Sequence, residues 1–140
     1  MKRFTLTVVL LLVFASTTFA QGRPGSLGAL RTNSPYDTHS ISNPYGAGSR
    51  FKANGLRNSY SRNGSRFSNQ SWRNPYATQA PKLYSGGRYL GRLSANTYRY
   101  DSTSNRFGRY GSRYSTDSIK NPYGAGNRYS TRPVYVYPGR

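Results

Sequence analysis

The sequence predicts a mostly disordered or irregular, turn-rich chain of tandem repeats that follows a signal peptide. Three observations lead to this fold class. A unit of about 15 residues recurs, with the aromatics Tyr36 and Phe51 opening successive copies; aliphatic residues are scarce; and the formal net charge is +18. Regular recurrence of a short unit is typical of stacked repeats. The alternative fold is therefore a small β-solenoid-like stack of units of 15 to 16 residues.

The chain begins with features of an export signal. Lys2 and Arg3 precede an apolar run over 4–15, and small residues lead up to Ala20. The run is shorter than the roughly 20 apolar residues that a membrane span needs, so it predicts a signal peptide cleaved between Ala20 and Gln21. We therefore expect a secreted or periplasmic protein with no transmembrane anchor after cleavage.

The remaining chain divides by composition. The sequence gives these segments: a signal peptide at 1–20, a flexible Gly- and Pro-containing leader at 21–33, a repeat region at 34–129 and a C-terminal tail at 130–140 with a short strand at 134–137.

The repeat is defined by an opening aromatic residue and an Asn seven residues later. The opening aromatics are Tyr36, Phe51, Phe67, Tyr98, Tyr114 and Tyr129, and the Asn residues are Asn43, Asn58, Asn74, Asn105 and Asn121. Tyr84 fills the long gap between the third and fourth copies imperfectly. This regularity indicates one small module copied several times.

Composition argues against an ordinary apolar core. From Gln21 onward the chain has 19 Lys and Arg and three Asp, a net charge of 19 − 3 = +16, and its aliphatic residues beyond Ala number only ten. They are Leu27, Leu30, Ile41, Leu56, Leu83, Leu90, Leu93, Ile119, Val134 and Val136. Because ordering each residue costs about 1–2 kcal/mol of backbone entropy, this composition favours disorder. The many Tyr residues argue the other way, since aromatics are scarce in disordered tails.

Turn signals recur in the repeats. Asn before a turn, Pro at its second position and Gly at its end are typical of β-turns. The predicted turn positions are Asn43, Pro44, Gly46, Asn74, Pro75, Asn105, Asn121, Pro122 and Gly124. The pairs Asp101-Ser102 and Asp117-Ser118 are interpreted as turn formers that bond their own downstream amides, in preference to metal ligands.

Regular secondary structure is expected only in short pieces. Gly, Pro, Asn and Ser interrupt every window long enough for a helix. Residues 89–93 and 134–137 are the strand candidates, and the second leaves two interpretations open, pairing with another chain or an exposed tail. In the solenoid alternative, the repeated Asn residues would form a ladder and the aromatics would stack along one side.

The dipeptide Arg-aromatic is the main candidate for function. The predicted polyanion-binding pairs are Arg50-Phe51, Arg66-Phe67, Arg88-Tyr89, Arg106-Phe107, Arg109-Tyr110, Arg113-Tyr114 and Arg128-Tyr129, and Arg99-Tyr100 has the same pattern. Guanidinium groups bind anionic oxygens bidentately, and aromatic faces stack on sugars or bases. Two other interpretations stay open: Arg keeps a Tyr-rich chain soluble, or it pairs with the chain's own rings.

These pairs predict an exported, non-enzymatic, multivalent binder of anionic polymers such as envelope polysaccharide, lipopolysaccharide or extracellular DNA. The alternatives are a self-associating structural protein of the envelope or matrix and a nucleic-acid-binding low-complexity protein. No enzyme, cofactor or metal site is predicted. The chain has one His, no Cys and three separated Asp, and His39, beside Asp37 and Ser40, lies too close to them in sequence to form a catalytic triad.

The string Asp117-Ser118-Ile119-Lys120-Asn121-Pro122-Tyr123-Gly124-Ala125-Gly126 and its relatives over residues 34–129 resemble a group of small exported bacterial tandem-repeat proteins of unknown function. The resemblance implies a bacterial, exported origin and no particular activity. This chain differs from the group by placing Arg where Pro often precedes the aromatic, as at Arg106, Arg113 and Arg128. The repeat would then be general to the group and the charge particular to this chain.

Overall fold

The computed structural model describes residues 25–31 and 34–139, with the backbone alone described at Arg31. The predicted signal peptide and its cleavage site lie outside these residues, as do residues 21–24 and 32–33 of the leader. The described part contains four strands, β1 (Gly28–Arg31), β2 (Lys82–Ser85), β3 (Arg88–Arg92) and β4 (Val134–Tyr137), and no helix. No stretch of it forms a helix with the length and apolarity to span a bilayer. The prediction of irregular, turn-rich, non-helical structure is confirmed here.

The four strands form one open sheet in the order β1-β4-β2-β3, with every neighbouring pair antiparallel. β2 and β3 are joined by a two-residue hairpin loop, Gly86-Gly87, whose φ angles are 57° and 81°. Positive φ at both positions is what the hairpin turn that matches the strand twist requires, and Gly adopts it without steric cost. This open antiparallel sheet differs from the expected alternative of stacked solenoid rungs.

Strand β4 occupies the predicted run 134–137, but its partners are different from those expected. β4 lies between β1 and β2, with Val136 opposite both Gly28 and Leu83. Val134 and Val136 are buried on the same face. The interpretations of an exposed tail and of pairing with another chain are therefore wrong, because both edges of the strand are occupied within the chain.

The scarce aliphatic residues gather in one place. Leu27, Ile41, Leu56, Leu83, Leu90, Val134 and Val136 form a buried cluster, against which Leu30, Leu93, Ile119, Trp72 and Ala125 pack. Of the ten aliphatic residues counted from the composition, seven form this cluster and three, Leu30, Leu93 and Ile119, pack against it. Burying a Leu or Val side chain stabilises a fold by roughly 1.5–3 kcal/mol, so concentrating them gives a small core where disorder was expected.

Two long turn segments flank the sheet. We call residues 34–79 the first turn segment and residues 94–131 the second turn segment. The β2–β3 hairpin lies between them in sequence, which is why the repeat slips at Tyr84, a residue of β2.

Each turn segment covers one edge of the sheet in the same way. At the first edge the Ala29 N–H donates to His39 O at 2.7 Å, and the Ile41 N–H donates to Ala29 O at 2.9 Å. At the other edge the Arg92 N–H donates to Asp101 O at 2.7 Å, and the Thr103 N–H donates to Arg92 O at 3.0 Å. The backbone groups used by the two segments lie at equal offsets from Tyr36 and Tyr98, so each edge strand is bonded at one residue, Ala29 in β1 and Arg92 in β3.

Within both segments the backbone turns every three residues. For example, the N–H groups of Ser40, Asn43 and Gly46 each donate to the carbonyl three residues earlier, at 3.0–3.2 Å. The same pattern runs through Asn121, Gly124 and Asn127. The chain is thus irregular in strand and helix content but periodic in its turns.

Candidate functional site: aromatic and arginine side chains at the turns

The aromatic residues of the repeats occupy one position in these turns. In eleven cases the aromatic N–H donates to the Ser Oγ or Asn Oδ1 two residues earlier, at 2.8–3.2 Å. They are Tyr36, Tyr45, Phe51, Tyr60, Phe67, Tyr76, Tyr98, Phe107, Tyr114, Tyr123 and Tyr129. This local bond is the Asx- or ST-turn bond that Asn and Ser favour. It satisfies the aromatic residue's amide within the turn.

The Asn residues of the repeat make a second hydrogen bond, which spans more of the sequence. The Nδ2 of Asn58, Asn74 and Asn121 donates to the carbonyl oxygen six residues earlier, at 2.9–3.0 Å. Asn43 and Asn105 make the same bond at 3.1 Å. The Asn amide supplies its acceptor and its donor from two separate atoms, the oxygen and the nitrogen. At the seventh offset it therefore joins the turn before it to the turn after it, as the Ser61 hydroxyl also does with Gly55 O and the Gly64 N–H.

The turns hold the aromatic side chains in solvent. Twelve aromatic residues are between 79% and 98% exposed, namely the eleven above and Tyr100. Their faces are therefore open to an external partner, and where such rings form a contiguous patch they commonly mark an interaction surface. The sequence prediction included only those next to Arg. The signal that identifies the others is the Asn or Ser two positions before the ring.

The inward positions carry small polar side chains. Ser71, Ser102 and Ser118 are fully buried and Ser40 nearly so. Their hydroxyls accept N–H bonds from two residues ahead, as in Ser102 Oγ with the Ser104 N–H at 3.1 Å. Among the described residues, no buried side-chain nitrogen or oxygen lacks a hydrogen-bond partner. The interior beside the small apolar core is therefore built from satisfied polar groups.

Five of the predicted Arg-aromatic pairs project from the turns. In each, Arg and ring are the second and third residues of one turn, and both side chains are exposed. They are Arg50-Phe51, Arg66-Phe67, Arg106-Phe107, Arg113-Tyr114 and Arg128-Tyr129. Because the two side chains are neighbours on one turn, a single ligand group can contact both a guanidinium and a ring face.

Arg88-Tyr89 and Arg109-Tyr110 are placed differently. Arg88 and Arg109 both bond the buried carboxylate of Asp117. The rings of Tyr89 and Tyr110 pack edge to face, with centroids 5.3 Å apart. These two pairs join β3 to the second turn segment, so their Arg groups already have an anionic partner within the chain.

Asp101 has a similar role. Its carboxylate accepts bonds from Arg92 Nε at 3.1 Å, Arg99 Nε at 2.9 Å and the Tyr89 hydroxyl at 3.0 Å. Burial, together with the neighbouring Asp101 carboxylate, raises the pKa of Tyr89 well above its ordinary value.

Gly91 in β3, with φ of 93°, lies against the Tyr110 side chain where a Cβ would collide.

The interpretation of Asp101 and Asp117 as turn formers needs correction. Both are almost fully buried, at 4% and 3% exposure, and act as centres of ion pairs. Ser102 and Ser118 form the turns instead. Asp37 does behave as a turn former, since its Oδ1 accepts the His39 N–H at 2.9 Å. Burial explains why Asp101 and Asp117 differ from Asp37, because a buried carboxylate needs cationic partners.

Cation–π contacts within the chain are also present. The Arg109 guanidinium lies 5.9 Å from the Tyr110 ring centroid, and the Arg73 guanidinium lies 5.1 Å from the Trp72 ring centroid. The interpretation that Arg pairs with the chain's own rings therefore applies at these two places. No such contact involves the five projecting pairs within the described residues.

One part of the second turn segment concentrates positive charge in a groove. A depression of about 540 Å³ is lined by Arg106, Phe107, Arg113, Tyr114 and Lys120, together with Gly111 and Ser112. A neighbouring depression of about 470 Å³ shares Arg113 and Lys120 and extends past Pro122 to Arg128. We call the two together the basic groove. Lys120 was not among the predicted site residues, because no aromatic follows it.

The described residues contain no group of three or more His or Asp positioned to hold a metal ion. The chain matches no protein-family model, no curated protein and no solved structure. Function is therefore inferred from the arrangement of the turns and their side chains.

Proposed function

We propose that this chain is an exported, non-enzymatic repeat protein that binds anionic envelope or extracellular polymers through many equivalent weak contacts. The observation that carries this proposal is the placement of five Arg-aromatic pairs on exposed turns, where each Arg is free of an ion pair to the three Asp side chains. One exposed Arg contact contributes about 0–1 kcal/mol, which is too weak alone. Several Arg contacts on one chain add up to useful affinity, because each contact that forms raises the effective concentration for the next.

The chain acts in this proposal as a tandem array of units of 15–16 residues. Five Asn residues make equivalent backbone bonds, and each is followed two residues later by an exposed ring. An array of this kind displays its binding groups at set spacings along a polymer. The apolar run before Ala20 and the small residues that precede cleavage support secretion or transfer to the periplasm.

Affinity chromatography of the mature chain on an immobilised acidic polysaccharide tests the proposal. Retention should be strong at low ionic strength and fall steeply as salt rises, because salt screens exposed charges over about 10 Å at 0.1 M. Retention that is the same from low to high salt, or no retention at low salt, would contradict a charge-based mode of binding.

A matched pair of variants separates paired Arg from charge in general. The first variant carries Arg50→Gln, Arg66→Gln, Arg113→Gln and Arg128→Gln. The control carries Lys52→Gln, Arg57→Gln, Arg62→Gln and Arg132→Gln, which removes equal charge from exposed positions that no aromatic follows. We expect the first variant to elute at clearly lower salt than the control. Equal elution would show that only net charge matters.

Self-association into a structural layer is the second candidate, favoured by the twelve exposed aromatic rings. Because each sheet edge is already bonded to a turn segment at one residue, association through the exposed turn rings is favoured over strand addition. Sedimentation at rising concentration, with and without an added polyanion, tests this candidate. A chain that remains monomeric at high concentration without polyanion would speak against it.

A further inference from the structure

We propose that the basic groove is the principal anchoring site for the polymer and that it takes a segment of acidic polysaccharide. This inference rests on the proposed function and adds a location and a ligand class to it. The site consists of Arg106, Arg113, Lys120 and Arg128, with the rings of Phe107 and Tyr114 in the same lining.

The groove is positive with no side-chain carboxylate at its surface to offset it. The two Asp residues of this part of the chain, Asp101 and Asp117, are 4% and 3% exposed. Each is bonded by two Arg residues that do not line the groove. The buried acids thus use other cations, and the charges of the groove remain available to an external anion.

The first turn segment offers a comparison. A depression of about 580 Å³ beside it is lined, among the described residues, by one cation, Arg62, with Leu27, Ala53 and Pro138 among the apolar groups. Arg50 and Arg66 project from that segment but do not line that depression. Of the two depressions, the one in the second segment therefore gathers more cations.

The lining suits a polymer of sugar rings. Phe107 and Tyr114 are 98% and 94% exposed, so their faces are open to stacking. The negative face of an aromatic ring attracts the weakly positive C–H groups on a sugar ring, while guanidinium groups bind its carboxylates bidentately. Ser112 in the same lining adds a hydroxyl for hydrogen bonds to sugar hydroxyls.

Acidic polysaccharide is favoured over nucleic acid by the export signal of the sequence, since anionic sugar polymers are abundant outside the cytoplasm. The two depressions, of about 540 and 470 Å³, are each within the range of roughly 300–1,000 Å³ typical of small-ligand sites. Short oligomers should therefore suffice to occupy the groove.

The first experiment measures Kd for a uronic-acid oligosaccharide of fixed length at low salt. The groove variant carries Arg106→Gln, Arg113→Gln and Lys120→Gln, and the control carries Lys52→Gln, Arg57→Gln and Arg62→Gln, none of which belongs to a binding pair. Each variant loses two Arg and one Lys from exposed positions. We expect about a tenfold loss or more for the groove variant, equivalent to about 1.4 kcal/mol, and a much smaller loss for the control. Near-ultraviolet circular dichroism checks that both variants fold like the parent.

The outcomes separate the two proposals. If the parent chain binds the oligosaccharide and both variants lose affinity equally, binding of anionic polymers stands, but it depends on net charge and the groove is not its anchor. If the parent binds no polyanion at low salt, the proposed function itself fails, and the groove inference with it.

The second experiment tests the ligand class with Phe107→Leu and Tyr114→Leu in one chain. We expect weaker binding of the uronic-acid oligosaccharide and unchanged binding of inorganic polyphosphate, which has charge but no rings. Equal losses on both probes, or none on either, would contradict ring stacking. Single-stranded DNA of similar charge is the third probe, and tighter binding of DNA than of the oligosaccharide would assign the groove to nucleic acid instead.

Discussion

The two turn segments have the same local structure but are attached to the sheet by different chemistry. In the first, Ile41, Leu56 and Trp72 pack into the apolar cluster, and the Trp72 indole N–H donates to Leu56 O at 2.8 Å. In the second, Asp101 and Asp117 each bond one Arg of β3 and one Arg of the segment itself. The first segment is thus held by apolar contacts, and the second by buried ion pairs in addition to Ile119 and Ala125, which pack against the same cluster.

This difference shows that the turns and their anchors are separable. The turn bonds depend on Ser and Asn and recur in both segments, whereas the anchor depends on the residues three and five positions after the opening aromatic. In the second segment two carboxylates are used internally, so the exposed surface is left strongly basic. The basic groove stays positively charged because Asp101 and Asp117 are buried in ion pairs and are not at its surface.

The largest expected effect comes from removing a buried carboxylate. Asp101→Ala leaves Arg92, Arg99 and the Tyr89 hydroxyl without their acceptor, and breaking such a pair typically costs about 3–5 kcal/mol. We expect about 3 kcal/mol in urea unfolding, with amide exchange accelerated first in the second segment. Asp37→Ala is the control and should cost about 1 kcal/mol, because Asp37 only accepts a turn N–H. Equal costs would remove the distinction between the two anchors.

A core truncation should affect the other segment. Leu56 is 2% exposed, and Leu56→Ala should lower the free energy of unfolding by about 2–3 kcal/mol, the lower part of the usual range because the core is small. Amide exchange should rise first in the first segment. Leu56→Met keeps the volume and should cost less than about 1.5 kcal/mol. Faster exchange confined to the second segment would contradict the assignment of the anchors.

Removing one repeat Asn should have a smaller, local effect. Asn58→Ala loses the bond to Lys52 O and the acceptor for the Tyr60 N–H, with an expected cost of about 1 kcal/mol. Asn58→Ser keeps an acceptor for the Tyr60 N–H, as Ser49 is for Phe51, and loses the Nδ2 group that bonds Lys52 O, so its cost should be intermediate. The equivalent change at Asn105 should cost about the same. A large difference between these two sites would show that the segments do not share one frame.

The smallest effect is expected in alkali. Since burial raises the pKa of Tyr89, the phenol stays neutral in the folded chain at pH values where it ionises in the unfolded chain. Its contribution to stability is therefore complete below about pH 10 and is lost as pH rises toward the folded pKa. Tyr89→Phe should be less stable than the parent at neutral pH, and the gap should shrink above pH 10. A gap that is constant with pH would contradict the raised pKa.

Much of this arrangement could be predicted from local sequence signals. The strand at 134–137, the Asn-Pro-Tyr-Gly turns and the absence of helix in the described residues follow from propensity and turn chemistry. The repeated Asn was visible as a pattern, although its two bonds were not. Small polar side chains recur every three residues within the repeat of 15 to 16 residues. This shorter spacing was the sequence signal for the succession of turns.

The sheet could not be predicted, since its strands come from distant parts of the chain. Nothing local to Val134–Tyr137 indicates that Gly28–Arg31 and Lys82–Ser85 will pair with it. Composition gives the number of aliphatic residues but not where they lie in the fold. It therefore favours disorder, although these residues gather into one small core. The roles of Asp101 and Asp117 likewise depend on Arg residues brought near by the β2–β3 hairpin.

The repeated turns hold nine Tyr residues in solvent, while the other five Tyr residues pack in or beside the sheet. Tyr36, Tyr45, Tyr60, Tyr76, Tyr98, Tyr100, Tyr114, Tyr123 and Tyr129 are the exposed set, and Tyr84, Tyr89, Tyr110, Tyr135 and Tyr137 are the packed set. Brief iodination of the mature chain, followed by peptide mass spectrometry, reads each ring separately. We predict rapid modification of the nine exposed rings and markedly slower modification of the five packed rings, with the difference abolished in urea. Equal rates at all fourteen without denaturant would contradict the account.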